Sequence, residues 1–321
     1  MCTLYCISKD DFLIIGKNYD VPDPCYGLMF WNPAGIEKRA LIKPPDEPAV
    51  WYSKYGSITF NQVGRDFPSS GMNDRGLVVE QTTLWNTIYP NKDDRKAIKE
   101  LQLIQYLLDV CSSVSEAIEV LKTVWVSQEM SKLQYVIADN EGNISLVEFI
   151  MGETVIYSND EFYYKVITND MYDTSVDYLK THHEFGGIKS IGKSSYSLDR
   201  FVVTVDAINR KGSSYSRSFS FDLLNLSKNN DTQWQILYDL KQLKIKWMIV
   251  NKAVAYEIDL SEFVQMRNCL TVELDTMDKD YYSRDRNMIL ANHFFKESIY
   301  FKAMRVRDNE IAVLVDHPSV K

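Results

Sequence analysis

The sequence predicts an α+β fold, and three observations carry that reading. Alternating apolar segments joined by short polar turns open the chain and recur after residue 130. Between them the apolar period changes from two to about 3.6. No apolar run approaches the ~18–20 residues a membrane helix needs, the FLII (12–15) and WMIV (247–250) runs being strand-sized. Antiparallel hairpins, a helical stretch and further strands are the ingredients of sheets covered by helices.

The elements follow in order. CTLYCIS (2–8), the turn Lys9-Asp10-Asp11 and FLIIGKN (12–18) form a hairpin at the chain start. Pro-rich KPPDEP (43–48) is a surface loop, with strands near 50–62 and 76–83. Ile98, Leu101, Ile104, Gln105 and Leu108 fall at helical spacing with polar residues between them, which predicts a helix. Ser113 with Glu116 three residues on is a capping-box pattern that starts a second helix through Ala117, Val120 and Leu121. LQYVIAD (133–139) and ISLVEFIM (144–151) flank an Asn-Glu-Gly-Asn turn and form a hairpin, and YYKVITN (163–169) is a further strand. LDRFVVTVDAIN (198–209) places Leu198, Phe201, Val202, Val205 and Ile208 on one helix face. SKNNDTQ (227–233) is a surface loop, and WQILYDL (234–240) and KIKWMIV (244–250) return to strands.

Composition sets the outer bounds. The 321 residues, 45% hydrophobic and 25% charged, supply a full-sized core and exclude intrinsic disorder. No composition shift divides the chain, so residues 1–321 read as one domain. A net charge of −8 with interspersed basic residues argues against nucleic acid as partner, and the lack of an apolar span argues against a membrane. No signal peptide is present as written, which makes the chain cytoplasmic; export, with the signal absent from this sequence, is the alternative. Five cysteines in a chain of this size do not suggest a disulfide framework. Cys6, Cys25, Cys111 and Cys269 are most simply small apolar residues. His182 and His183 sit in a polar stretch, and His293 and His317 are isolated. These read as surface or cap histidines, and without ligand spacing no metal site is expected.

Cys2 is different. Once the initiator Met is removed, the chain starts with a thiol and a free α-amine on one residue. Such groups ordinarily titrate near about 8.5 and 7.7–8.0, so the amine can act as base for its own nucleophile. If 2–8 and 12–18 pair, Lys17 and Asp20 return beside the chain start. A cation there favours thiolate and oxyanion, and a carboxylate orients the amine. Taken alone, the same pattern is more commonly an ordinary charged strand end after a turn. Tyr26 and Phe30 in the loop CYGLMFW (25–31), and Trp85, are candidates for lining an apolar acyl pocket, though each serves equally as packing.

Five blocks in order resemble the choloylglycine hydrolase and penicillin V acylase family of linear amide C–N hydrolases. They are MCTLYCIS with IIGKNYD, SITFNQVGRDFPSSGMNDRGLVVE (57–80), VITNDMYDTSVDYLK (166–180), SSYSLDRFV (194–202) and TQWQILYDLK (232–241). The resemblance implies a four-layer αββα sandwich of the N-terminal-nucleophile hydrolase type. It further implies Cys2 as nucleophile, its α-amine as base and Asp20 as hydrogen-bond partner of that amine. Asn169 would be the side-chain oxyanion donor, the backbone N–H of Thr83 the second donor, and Arg200 the electrostatic support. The expected chemistry is hydrolysis of a small-molecule amide through a thioester, with no metal or organic cofactor. Relatives are often homotetramers, which implies a homo-oligomer. Lys17 stands where bile salt hydrolases and penicillin V acylases usually carry Arg, and keeps the charge without the planar fork. QTTLWNTIYP (81–90) carries neither substrate signature. Bile acid conjugates, penicillin V and acyl-homoserine lactones therefore stay open as substrates, as does a catalytically silent member acting as a binding or assembly protein.

Overall fold

The computed structural model describes residues 2–21, 27–61, 67–128, 131–214, 216–250, 252, 254–267 and 270–274. Tyr26, Cys25, Cys269 and the C-terminal NEIAVLVD (309–316) lie outside them.

The first strands are β1 (Cys2–Lys9), β2 (Phe12–Asp20), β3 (Leu28–Asn32), β4 (Glu37–Arg39) and β5 (Val50–Tyr52). They are followed by β6 (Ser57–Asn61), β7 (Ser70–Asn73), β8 (Val78–Thr83) and β9 (Lys96–Lys99). Helices α1 (Gln102–Val110) and α2 (Val114–Leu121) come next, then β10 (Val124–Ser127), β11 (Leu133–Ala138), β12 (Ile144–Ile150), β13 (Glu153–Ser158) and β14 (Val166–Ile167). Helices α3 (Tyr172–Leu179), α4 (Ser197–Lys211) and α5 (Phe219–Ser227) precede β15 (Thr232–Asp239), β16 (Lys244–Ile249), β17 (Val254–Asp259) and β18 (Leu270–Glu273).

Two sheets dominate, one of six strands in the order β14-β1-β2-β15-β16-β17 and one of eight in the order β13-β12-β11-β8-β7-β6-β3-β18. Strand alternation decides what each face meets. In β3, Met29 and Trp31 join the core that also holds Ile15, Phe60, Val136 and Trp247 from the two sheets. Leu28 and Phe30 instead join a second core with Leu103, Ile104, Leu107 and Leu108 of α1. On the other side Phe201, Val202 and Val205 of α4 and Leu223 and Leu224 of α5 pack on the six-stranded sheet. The layers therefore run helix, sheet, sheet, helix.

The opening hairpin pairs Cys2 with Tyr19 and Leu4 with Lys17. Of the predicted α4 stripe, Leu198, Phe201, Val202 and Val205 are buried and Ile208 is half-buried, and Ser113 caps α2 by accepting from Glu116 N. Three expectations need correction. Ile98 is not helical: Lys96–Lys99 forms a strand parallel to β10, and the helix begins at Gln102. Within 163–169 only Val166–Ile167 is strand, because the partner residues on β1 are just Leu4 and Tyr5. His182 is not at the surface; it is buried, with Nδ1 3.0 Å from Tyr178 O.

Candidate active site

Four residues far apart in sequence meet at the start of β1. The backbone nitrogen of Cys2 donates to Asn169 Oδ1 at 2.9 Å. Arg200 Nη2 donates to the same oxygen at 2.9 Å, and its Nη1 donates to Cys2 O at 2.7 Å and to Thr3 Oγ1. Asp20 Oδ2 lies 3.7 Å from Arg200 Nη1. All four side chains are buried.

Each is placed by its own element. Cys2 opens β1, and Asp20 closes β2, so the hairpin register returns the carboxylate to the chain start. Arg200 lies in the first turn of α4, where its guanidinium reaches down onto β1 and its Nε bonds Ser195 O at 3.2 Å. Asn169 follows β14, and its backbone N–H donates to Ser197 Oγ at 2.8 Å, tying it to the start of α4. Burial lowers the guanidinium pKa of Arg200, and the charge of Asp20 opposes this. Burial pushes the carboxyl of Asp20 up to about 6, against the hydrogen bond from Thr232 and the charge of Arg200.

Thr83 belongs to the same cluster. Asn169 Nδ2 donates to Thr83 O at 2.8 Å. Leu84 N donates to Lys132 O at 2.9 Å on the β11 side, so strand alternation turns both polar groups of Thr83 the other way, toward Asn169. A primary amide carries two hydrogens, so Asn169 keeps one donor beyond that given to Thr83.

The structure differs from the sequence reading at several residues. The Cys2 nitrogen, here still in peptide linkage to Met1, donates to Asn169 Oδ1; Asp20 stands beside Arg200 at the same end of the hairpin. Lys17 shares the sheet face of Cys2, but its ammonium is taken by Glu80 Oε2 at 2.6 Å, with Ser69 O at 3.5 Å. Its charge is thus neutralised across the two sheets, with Glu80 itself fully buried. Phe30 joins the core that holds the α1 residues, on the far side of the eight-stranded sheet. Trp85 is 66% exposed, two residues beyond Thr83, and its carbonyl accepts from Lys132 Nζ.

Glu80 and Ser197 were missed, since nothing local marks a cross-sheet counter-ion or a side chain that accepts from a distant backbone. Thr232 and Asn229 were also missed: they donate to Asp20 Oδ1 at 2.7 Å and to Oδ2 at 2.9 Å. The one available signal was the block TQWQILYDLK, which begins at Thr232 and had been given no role.

Residues 7–254 match the model of the acyl-coenzyme A:6-aminopenicillanic acid acyl-transferase family. The chain belongs to that family. It is similar to a penicillin V acylase of Pectobacterium atrosepticum, 25% identical over 169 residues, which are 47% of this chain and 44% of that protein. The match thus spans less than half the length of that curated relative. Among solved structures, the penicillin V acylase from Agrobacterium tumefaciens superposes with a TM-score of 0.73 at 20% identity, over 88% of this chain and 94% of that one. A conjugated bile acid hydrolase variant from Clostridium perfringens gives 0.71 at 16% identity, over 85% and 97%. These likenesses show the fold as the αββα sandwich of N-terminal-nucleophile hydrolases, in agreement with the sequence reading.

Proposed function

We propose that the chain hydrolyses a linear amide, with Cys2 as nucleophile once Met1 has been removed. The observation that carries this reading is the convergence of Asn169 and Arg200 on the nitrogen and carbonyl of Cys2, with Asp20 beside them. The freed α-amine takes the thiol proton, and the sulfur attacks the amide carbonyl. The spare hydrogen of Asn169 Nδ2 and the N–H of Thr83 receive the oxyanion. Collapse breaks the C–N bond as the α-ammonium returns its proton to the leaving amine. Water, deprotonated by the same amine, then cleaves the thioester and frees the acid. Arg200 holds the Cys2 carbonyl and the Asn169 oxygen fixed through these steps, so little reorganisation accompanies charge development.

With its ammonium bound to Glu80, Lys17 acts in this reading as a structural cation. The test is a panel of penicillin V, glyco- and tauro-conjugated bile acids and N-acyl-homoserine lactones, assayed for amine release with Cys2→Ala as control. Release from at least one class, abolished in Cys2→Ala, supports the reading. Turnover retained by Cys2→Ala overturns it.

A further inference from the structure

The loop 228–231 and the first residue of β15, within the stretch 227–233 read from sequence as a surface loop, reach the candidate site. In β15 Trp234 pairs with Tyr19, so unbroken antiparallel pairing would set Gln233 opposite Asp20. The register shifts between Thr232 and Trp234, and Thr232 stands opposite Asp20 instead. Such a bulge re-aims a side chain, here turning a hydroxyl onto the face that carries the carboxylate.

The hydroxyl's proton has a defined direction. Thr232 Oγ1 accepts from Asn229 N at 3.0 Å and donates to Asp20 Oδ1 at 2.7 Å. Asn229 Nδ2 donates to the other oxygen, Oδ2, at 2.9 Å, and Asn229 Oδ1 accepts from Asp231 N at 2.8 Å. Val21 N, just past Asp20, donates to Asp231 O at 2.9 Å and pins the same loop. Thr232 is 4% exposed and Asp20 1%. Each carboxylate oxygen thus has its own donor from one four-residue segment.

We propose that Thr232, assisted by Asn229, is the positioning residue that holds the Asp20 carboxylate in place against Arg200 and the chain start. The proposal rests on the amide-hydrolysis reading for its catalytic consequence, though not for its geometry. Burial raises the carboxyl pKa of Asp20; the Thr232 hydroxyl and Arg200 from α4 favour the carboxylate, and Asp231 from the loop opposes it. Loss of the hydroxyl therefore favours the protonated acid.

The experiment compares Thr232→Val, which keeps the shape but cannot donate, with Thr232→Ser, which restores the hydroxyl. The first readout is the carboxyl titration of Asp20 by carbon-13 NMR. The second is the acid limb of kcat/KM against pH on whichever amide the parent chain cleaves. A hydrogen bond to a charged group corresponds to roughly one pH unit or more. Thr232→Val is therefore expected to move both the titration and the acid limb up by about one unit. Below the limb kcat/KM falls about tenfold, through kcat with KM little changed, and Thr232→Ser returns toward the parent. An Asp20 titration that does not move in Thr232→Val, or that Thr232→Ser fails to restore, overturns the proposal. A titration that moves as expected in a chain with no amidase activity supports the positioning and tells against amide hydrolysis alone.

Discussion

Glu80→Gln is the perturbation that separates a structural Lys17 from a catalytic one. Lys17 Nζ and Glu80 Oε2 are 2.6 Å apart, and their side chains are 1% and 0% exposed. Burial raises the pKa of Glu80, and the Lys17 charge works against that rise. Glutamine keeps the volume and an acceptor oxygen but removes the negative charge, leaving a buried ammonium between two sheets without its counter-ion. Breaking a buried pair from one side costs about 3–5 kcal/mol, mostly the uncompensated charge, whereas replacing both partners by apolar groups is often near neutral. Glu80→Gln should therefore destabilise the chain by about 3–5 kcal/mol, and Lys17→Met/Glu80→Leu should recover most of that loss. Urea unfolding with a shared m-value measures both. A Glu80→Gln loss under about 1 kcal/mol, or a double variant no better than the single, would refute the reasoning and return Lys17 to the list of catalytic cations.

Two further outcomes follow from the same geometry. Asn169→Ala removes the oxyanion amide and the acceptor of the Cys2 nitrogen together, so amide turnover should fall by roughly 100–1,000-fold, read as kcat under substrate saturation; a near-normal rate would take Asn169 out of the mechanism. Asp20 titrates at about 6 in the folded chain against an ordinary 3.8. Because the folded state binds the proton more tightly, stability contributed by this group is highest below pH ~4 and declines as pH rises to ~6, by about 3 kcal/mol. Asp20→Asn should flatten that decline in urea titrations run from pH 4 to 7, and a slope equal to the parent's would contradict the assigned shift.

The opening hairpin and the α4 stripe were legible because each rests on local signals, a two-period run around a polar turn and a 3.6-period run of apolar residues. Hairpin pairing alone brings Asp20 back to Cys2, and that much of the site follows from sequence. What the hairpin cannot disclose is which groups meet it from elsewhere. Glu80 lies 63 residues from Lys17 and on the other sheet, so no spacing marks the pair. Alternation along β3 separates Met29 and Trp31 from Leu28 and Phe30, but not which face looks toward helix α1. The bulge after Thr232 breaks the two-residue period from which strand faces are read. Ile98 kept helical spacing with Leu101 yet became strand, because parallel pairing with Val126 on β10 outweighed the local pattern. Family resemblance carried Asn169 and Arg200; the meeting of the Cys2 nitrogen and Arg200 Nη2 at Asn169 Oδ1 came only with the fold.

The most direct test of the account is the mass of the chain before and after reaction. Purified protein is mixed with a cleaved amide, quenched in acid within one turnover, and its N-terminal peptide is weighed. The account predicts a chain that starts at Cys2, without Met1, and an acyl adduct on that first residue. Turnover by a chain that still carries Met1, or an adduct on any other residue, would contradict it.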